Sequence, residues 1–297
     1  MCIRDSNYIF RRDFKGLEVN YNHQFSDIGS QNDDKISILF GENFGNSHLV
    51  IAGEFLDRSS LSSSLRPELS QLAISGLGNS FLLFGSSNVE AGPYKGSYSP
   101  FTNVPDANCI ENNGFIIPQA IGSRCGFLYG PRFNLVNNEE HQNIYGSLKS
   151  DMPNGLEFNI DVLSSNIKVI DNPQSPSYPA LSYLSPSNAI LAEQAGNPFG
   201  VPILWLGRPL GSSFPSPNAP RESENIRLSF GLKGTIIGFD WDFRYTHSKS
   251  EHYIYQPDTS TKKFSDAIAG KGGSSGDESW NLFDPSANSS SLVKWIS

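Results

Sequence analysis

The sequence lacks any long apolar run. Nothing in it approaches the roughly 18 consecutive apolar residues of a membrane-spanning helix. Val201-Pro-Ile-Leu-Trp-Leu206 comes nearest and is far too short. Charge is also scarce, at 18% of 297 residues, and its balance is acidic, with 30 Asp and Glu against 22 Lys and Arg. A net charge of −8 with a pI near 5.1 argues against a nucleic-acid partner, whose recognition needs a basic surface. Cysteine is nearly missing: Cys2, Cys109 and Cys125 are the three. No HExxH spacing is found, and nothing near the cysteines has metal-ligand spacing.

What the chain has is glycine (27), proline (19) and abundant Asn and Ser, the residues of turns and long loops. Aromatics make up 12%, which suits strands. Arg221 to His247 carries the clearest pattern. Ile226, Leu228, Phe230 and Leu232 alternate with polar residues or glycine. After a turn expected at Lys233-Gly234-Thr235, Ile237, Phe239, Trp241, Phe243 and Tyr245 alternate with Asp240, Asp242, Arg244 and Thr246. A period of two is strand geometry, and two such runs joined by a tight turn predict a β-hairpin. The same alternation marks Leu17 to Phe25, Ile36 to Phe44, Leu49 to Phe55, Gln142 to Leu148 and Leu156 to Val162.

The connections between these seven strands sort by parity. Gly45-Asn46, Asp151–Gly155 and Lys233–Thr235 are tight; Ser26–Asp34, Arg58–Asn138, Lys168–Pro220 and Ser248–Ser297 are longer. A transmembrane β-barrel has short periplasmic turns and long extracellular loops, whereas a soluble sandwich has no reason to sort its loops this way. The expectation is an all-β fold, part of an antiparallel transmembrane barrel, with the first strand running outward. Arg58–Asn138 then contributes no barrel strand, or two. Cys109 and Cys125 flank a short irregular loop and are expected to form a disulfide in an oxidising compartment, outside the cell.

Candidate chemistry is thin. Lys271 to Gly276 fails the phosphate-loop spacing and reads as a flexible loop. His247 and His252 with Glu251 read as a solvated loop mouth rather than a metal site. Asp240 and Asp242 share a face with no nucleophile or base beside them. No catalysis, cofactor or metal is expected. The functional surfaces are instead a hydrated lumen face (Glu18, Asn20, Asn22, Asn159, Asp161, Arg227, Asp240, Asp242 and Arg244) and loop aromatics that stack on a ligand (Phe199, Trp205 and Trp280). Packing of those aromatics among the loops themselves is the alternative.

Several motifs in order carry a family resemblance: Phe10-Arg-Arg-Asp-Phe-Lys-Gly-Leu-Glu-Val19; Asn43-Phe-Gly-Asn46 with Gly53-Glu-Phe-Leu-Asp-Arg58; Asn197-Pro-Phe-Gly200; Arg227 three residues before Phe230-Gly-Leu-Lys-Gly234; Trp241-Asp-Phe-Arg-Tyr245; Ala267-Ile-Ala-Gly-Lys-Gly-Gly273; and Trp280-Asn-Leu-Phe-Asp-Pro285. Together they resemble the TonB-dependent outer-membrane receptors. The resemblance implies an outer-membrane location in a Gram-negative bacterium and a barrel of roughly 22 strands around a plug, of which about seven strands are present. It also implies a periplasmic TonB protein as partner, acting through the plug, and uptake of a scarce nutrient of the siderophore, vitamin or oligosaccharide class. On this reading residues 1–6, which look like an adaptor-derived leader, are artefactual. Residues 7–14 end the plug and its junction, and 15–297 begin the barrel. The other readings are a passive porin or barrel-type adhesin, and a secreted β-sandwich binding module.

Overall fold

A computed structural model describes residues 11–28, 31–174, 186–211 and 213–297. The expected leader at 1–6 and the start of the expected junction at 7–10 lie outside the described residues, as do 175–185 of the Pro-rich segment. The described chain is mostly antiparallel sheet, and none of its helices is long and apolar enough to cross a membrane. It divides into two compact units. One comprises Met1–Leu61, Val136–Asn172 and Pro220–Tyr255; the other comprises Ser62–Leu135, Pro173–Ala219 and Gln256–Ser297.

The first unit is a seven-stranded meander: β1 (Gly16–Phe25), β2 (Asn32–Phe44), β3 (Ser47–Arg58), β4 (Asn138–Asp151), β5 (Glu157–Asp171), β6 (Arg221–Ile236) and β7 (Phe239–Ile254). Each strand pairs antiparallel with the next. Their lengths, from 10 residues in β1 to 16 in β6 and β7, meet or exceed the roughly 9–11 residues of a tilted bilayer crossing. Arg58 on β3 pairs directly with Glu139 on β4, so the chain between them adds no strand to this sheet. The sheet is open, with β1 and β7 as its edges, and is not closed into a barrel.

Two tight turns fall where the sequence places them: Gly45-Asn46 between β2 and β3, and a 3-10 turn at Pro153–Gly155 between β4 and β5. The third does not. Lys233, Gly234 and Thr235 stay inside β6, opposite Asp242, Trp241 and Asp240, and the chain reverses at Ile237-Gly238. A two-residue hairpin turn whose twist matches its strands needs positive φ at both positions. Ile237 (φ 53°) and Gly238 (φ 78°) supply it. Ile237 therefore belongs to the turn and not to the apolar face of β7.

The second unit gathers three stretches of chain around one core. The short strand Ser80–Leu83 pairs with Ile203–Leu206 on one side and Asn103–Pro105 on the other, tying two of the stretches together. The third supplies α1 (Thr261–Ile268) and α2 (Ser290–Ile296). The side chains of Ser260 and Ser289 cap these helices, accepting from the amides of Lys263 and Leu292. Each helix turns its apolar residues inward: Phe264, Ala267 and Ile268 from α1, Leu292 and Ile296 from α2. Cys109 and Cys125 are joined as a disulfide, with 5.8 Å between their Cα atoms. It links the Asp106–Cys109 turn to the hairpin of Gly114–Pro118 and Ser123–Leu128.

Candidate functional site

Directly paired residues of antiparallel strands share a face, so the register assigns every side chain of the sheet to one side. One row reads Leu17, Phe40, Ile51, Gly146, Val162, Leu228 and His247; its neighbour reads Val19, Ile38, Gly53, Ile144, Ser164, Ile226 and Lys249. This face is apolar through its middle. The opposite face carries all nine residues named above as polar: Glu18, Asn20, Asn22, Asn159, Asp161, Arg227, Asp240, Asp242 and Arg244.

Exposure is distributed against the usual order for water. Ile36, Ile38, Phe40, Ile51, Phe55 and Ile144 on the apolar face of β2, β3 and β4 are exposed. On the other face of the same strands Lys35, Ser37, Glu54, Asn143 and Tyr145 are half-buried. The three strand side chains that are fully buried, Val50, Ser147 and Ser229, lie on one row of the polar face, together with Gly16, Gly41, Asp161 and Thr246. At the sheet's edge Phe239 stands 76% exposed and Phe243 52%. A soluble antiparallel sheet buries its apolar side and wets its polar one.

The apolar band also slides as it crosses the sheet. Leu17 and His247 end the same row, yet on β1 the apolar run begins at Leu17 and continues to Phe25, whereas on β7 it lies wholly before His247, from Phe239 to Tyr245. Strands about 4.8 Å apart and tilted by 35–45° to a common axis displace a level band by about 4 Å, roughly one residue, per strand. The slide across the sheet is of that kind.

The polar face holds an open trough of about 940 Å³. Its lining mixes Glu18, Asn20, Glu54 and Asn143 with a floor of Leu39, Val50, Ala52 and Leu163. Ion pairs brace its surroundings: Lys35 with Glu54 at 2.7 Å, and Glu157 with both Lys149 (3.3 Å) and Lys233 (3.0 Å). Exposed pairs of this sort contribute about 0–1 kcal/mol each, so they orient side chains more than they stabilise the sheet. The stretch Arg11–Phe14 lies on this face. Arg12 reaches Asp161 (3.1 Å), which also accepts from the Tyr145 hydroxyl (2.9 Å). Gly41 is required beneath it, because a Cβ there would collide with the Phe14 carbonyl. No feature of the sequence around Arg12 or Asp161 announces this contact.

The three loop aromatics lie elsewhere. Phe199 (3% exposed), Trp205 (2%) and Trp280 (0%) sit in the core of the second unit. Phe264 lies between the two tryptophans, tilted to Trp205 and edge-on to Trp280, with ring centroids at 5.3 and 5.8 Å, and Phe199 packs on Phe81 at 6.0 Å. Placed so, their rings contact protein and offer no face to a ligand.

This unit's polar concavity is instead a pocket of about 390 Å³, whose lining includes Tyr94, Tyr98, Asp106, Ile110 and Ile116. Asp106 is nearly fully buried, and that burial raises its carboxyl above the ordinary range. In the sequence Pro105-Asp-Ala-Asn108 signals only a turn.

His247 and His252 fall on opposite faces of β7, two-residue alternation having separated them. Among the described residues no group of three His, Cys, Asp or Glu is placed to hold a metal. Gly272-Gly-Ser-Ser-Gly276 has G-x-S-x-G spacing, but it forms a turn beside an isolated bridge and lacks the strand-to-helix elbow that would expose a nucleophilic serine. Comparison of the chain with protein-family models, with curated proteins and with solved structures finds no match.

Proposed function

We propose that the seven-stranded sheet is an arc of a transmembrane β-barrel in the outer membrane of a Gram-negative bacterium, belonging to a receptor for TonB-energised uptake of a scarce nutrient. The observation that carries this reading is the inverted order on β2, β3 and β4, where Ile36, Ile38, Phe40, Ile51, Phe55 and Ile144 are exposed while Lys35, Ser37, Glu54, Asn143 and Tyr145 on the opposite face are half-buried. In water each Å² of apolar surface left uncovered forgoes about 25 cal/mol. A contiguous exposed apolar face across several strands is unusual on a soluble monomer. Lipid satisfies it, and the polar face then lines a hydrated interior. The sliding band supports the same reading, since a level membrane crosses tilted strands in that way. A secreted sandwich would place these apolar residues against a second sheet. The motif order from Phe10 to Pro285 supports the receptor over a passive porin.

The lipid contact is tested with single cysteines at Phe243 and Asp242, in a Cys2→Ser background, on the full chain reconstituted in liposomes. A fluorophore at 243 is expected to be quenched by lipid-borne nitroxide, and one at 242 by aqueous iodide. Iodide quenching at both positions sinks the barrel. Energised uptake is tested by cross-linking in cells: a receptor captures the periplasmic TonB protein, and a porin does not.

A further inference from the structure

We propose that the disulfide-linked unit binds a small organic ammonium ligand, with Asp106 as the anionic anchor of the pocket. The proposal stands on the second unit alone and is independent of whether the sheet meets lipid.

The pocket's size, about 390 Å³, suits a small molecule. Its chemistry is one-sided. No lysine, arginine or histidine lines it. Asp106 is 4% exposed, and its carboxyl takes hydrogen bonds from the Asn108 amide, at 3.0 Å, and from the Asn79 side chain. Both donors are neutral. Among the described residues no basic side chain pairs with Asp106, and the nearby Asp284 adds a second negative charge. A buried carboxylate without a counter-ion is costly, and proteins relieve that cost by pairing or by protonation. An incoming cation supplies the pair.

The walls select the kind of cation. A calcium ion needs six to eight oxygen ligands, and the pocket offers one carboxylate. The tyrosine hydroxyls are engaged: Tyr98 donates to the Tyr94 carbonyl at 2.7 Å, while the Tyr94 hydroxyl accepts from the Ala107 amide at 3.3 Å. Tyr94 is buried with its ring packed against Phe81, Phe199 and Phe283, so the ring surface open to the pocket is that of the half-buried Tyr98, and ring faces attract ammonium groups. Ile110, 63% exposed, and Ile116, 44% exposed, add an aliphatic wall near the mouth. The complementary ligand carries one ammonium on a short aromatic or aliphatic body.

The probes are phenethylammonium and 2-phenylethanol, similar in shape and different in charge, titrated into the full chain in detergent and followed by calorimetry. The ammonium is expected to bind at least ten-fold tighter than the alcohol. Asp106→Asn keeps an oxygen acceptor for the Asn108 amide and is expected to bring the ammonium down to the alcohol's affinity. Equal binding of the two probes by the unaltered protein overturns the proposal, as does ammonium binding that survives Asp106→Asn. If that variant loses its near-ultraviolet circular dichroism, Ile116→Trp takes its place by filling the mouth, and undiminished ammonium binding again overturns the proposal.

Discussion

Arg12 and Asp161 stand 149 residues apart in the chain, and their side chains meet at 3.1 Å on the polar face of the sheet. Asp161 lies on the row that also holds Gly41, Val50 and Ser147. The contact therefore fastens the chain ahead of β1 to a strand four places away. Arg12 is half-exposed, so the pair contributes under about 1 kcal/mol to stability. Its effect is local. Asp161→Asn is expected to leave the melting temperature within a degree or two and to speed tryptic cleavage at Arg11, Arg12 and Lys15 several-fold. Unchanged cleavage would show that the Phe14 carbonyl over Gly41 suffices to hold the stretch.

The turn between β6 and β7 carries a β-branched residue in the left-handed region, Ile237 at φ 53°. That conformation costs an ordinary residue about 1–2 kcal/mol, and less for asparagine. Ile237 is also 92% exposed, so its side chain gains little packing. Ile237→Asn creates the preferred Asn-Gly turn. It is expected to stabilise the protein by about 1 kcal/mol in denaturant titration in micelles. Destabilisation would mean that the isoleucine side chain gains more from its surroundings than the turn loses.

Arginine substitution should read the two faces of β7 separately. Phe243→Arg places charge on the apolar face and is expected to cost about 2–4 kcal/mol of folding free energy in bilayers if it lies near the midplane. Thr246→Arg, on the opposite face, is expected to cost under about 1 kcal/mol. Equal costs at both positions would argue that both faces meet water.

Asp106 gives the second unit a pH dependence of known sign. Burial raises its folded-state carboxyl above the unfolded value, so the folded state holds its proton more tightly. The penalty is absent below the ordinary carboxylate range, near about 3.9, and grows as pH rises above it towards the raised value. Asp106→Asn removes the titration. Its melting temperature relative to the unaltered protein is expected to improve as pH rises above about 4 and then to level off once pH passes the raised value. A difference that does not vary with pH would place the origin in packing.

The strands were legible because alternation is local: Leu17 to Phe25 and Phe239 to Tyr245 declare a period of two without reference to anything distant. The parity of the connections was legible for the same reason. The β6–β7 turn was misplaced because alternation runs through Gly234 without a break, and only backbone φ at Ile237 and Gly238 marks the reversal. Of the second unit only the Cys109–Cys125 disulfide was legible. The unit's core joins Phe81, Trp205 and Phe264 from three stretches of chain, none of which has a periodic pattern long enough to announce an element. Aromatic residues in such stretches look like exposed ligand contacts until their partners are known. Asp106 could not be singled out, because burial without a cation is a property of the assembled pocket.

The chain leaves the sheet at Arg58 and re-enters it opposite, at Glu139, where the two residues pair directly and their guanidinium–carboxylate contact is 3.3 Å. Everything between them is an excursion that returns to its point of departure. The entropy of closing such an excursion grows only logarithmically, at about 0.6 kcal/mol per doubling of length. Excursions of very different size can thus be exchanged on one frame at little thermodynamic penalty while β3 and β4 keep their pairing.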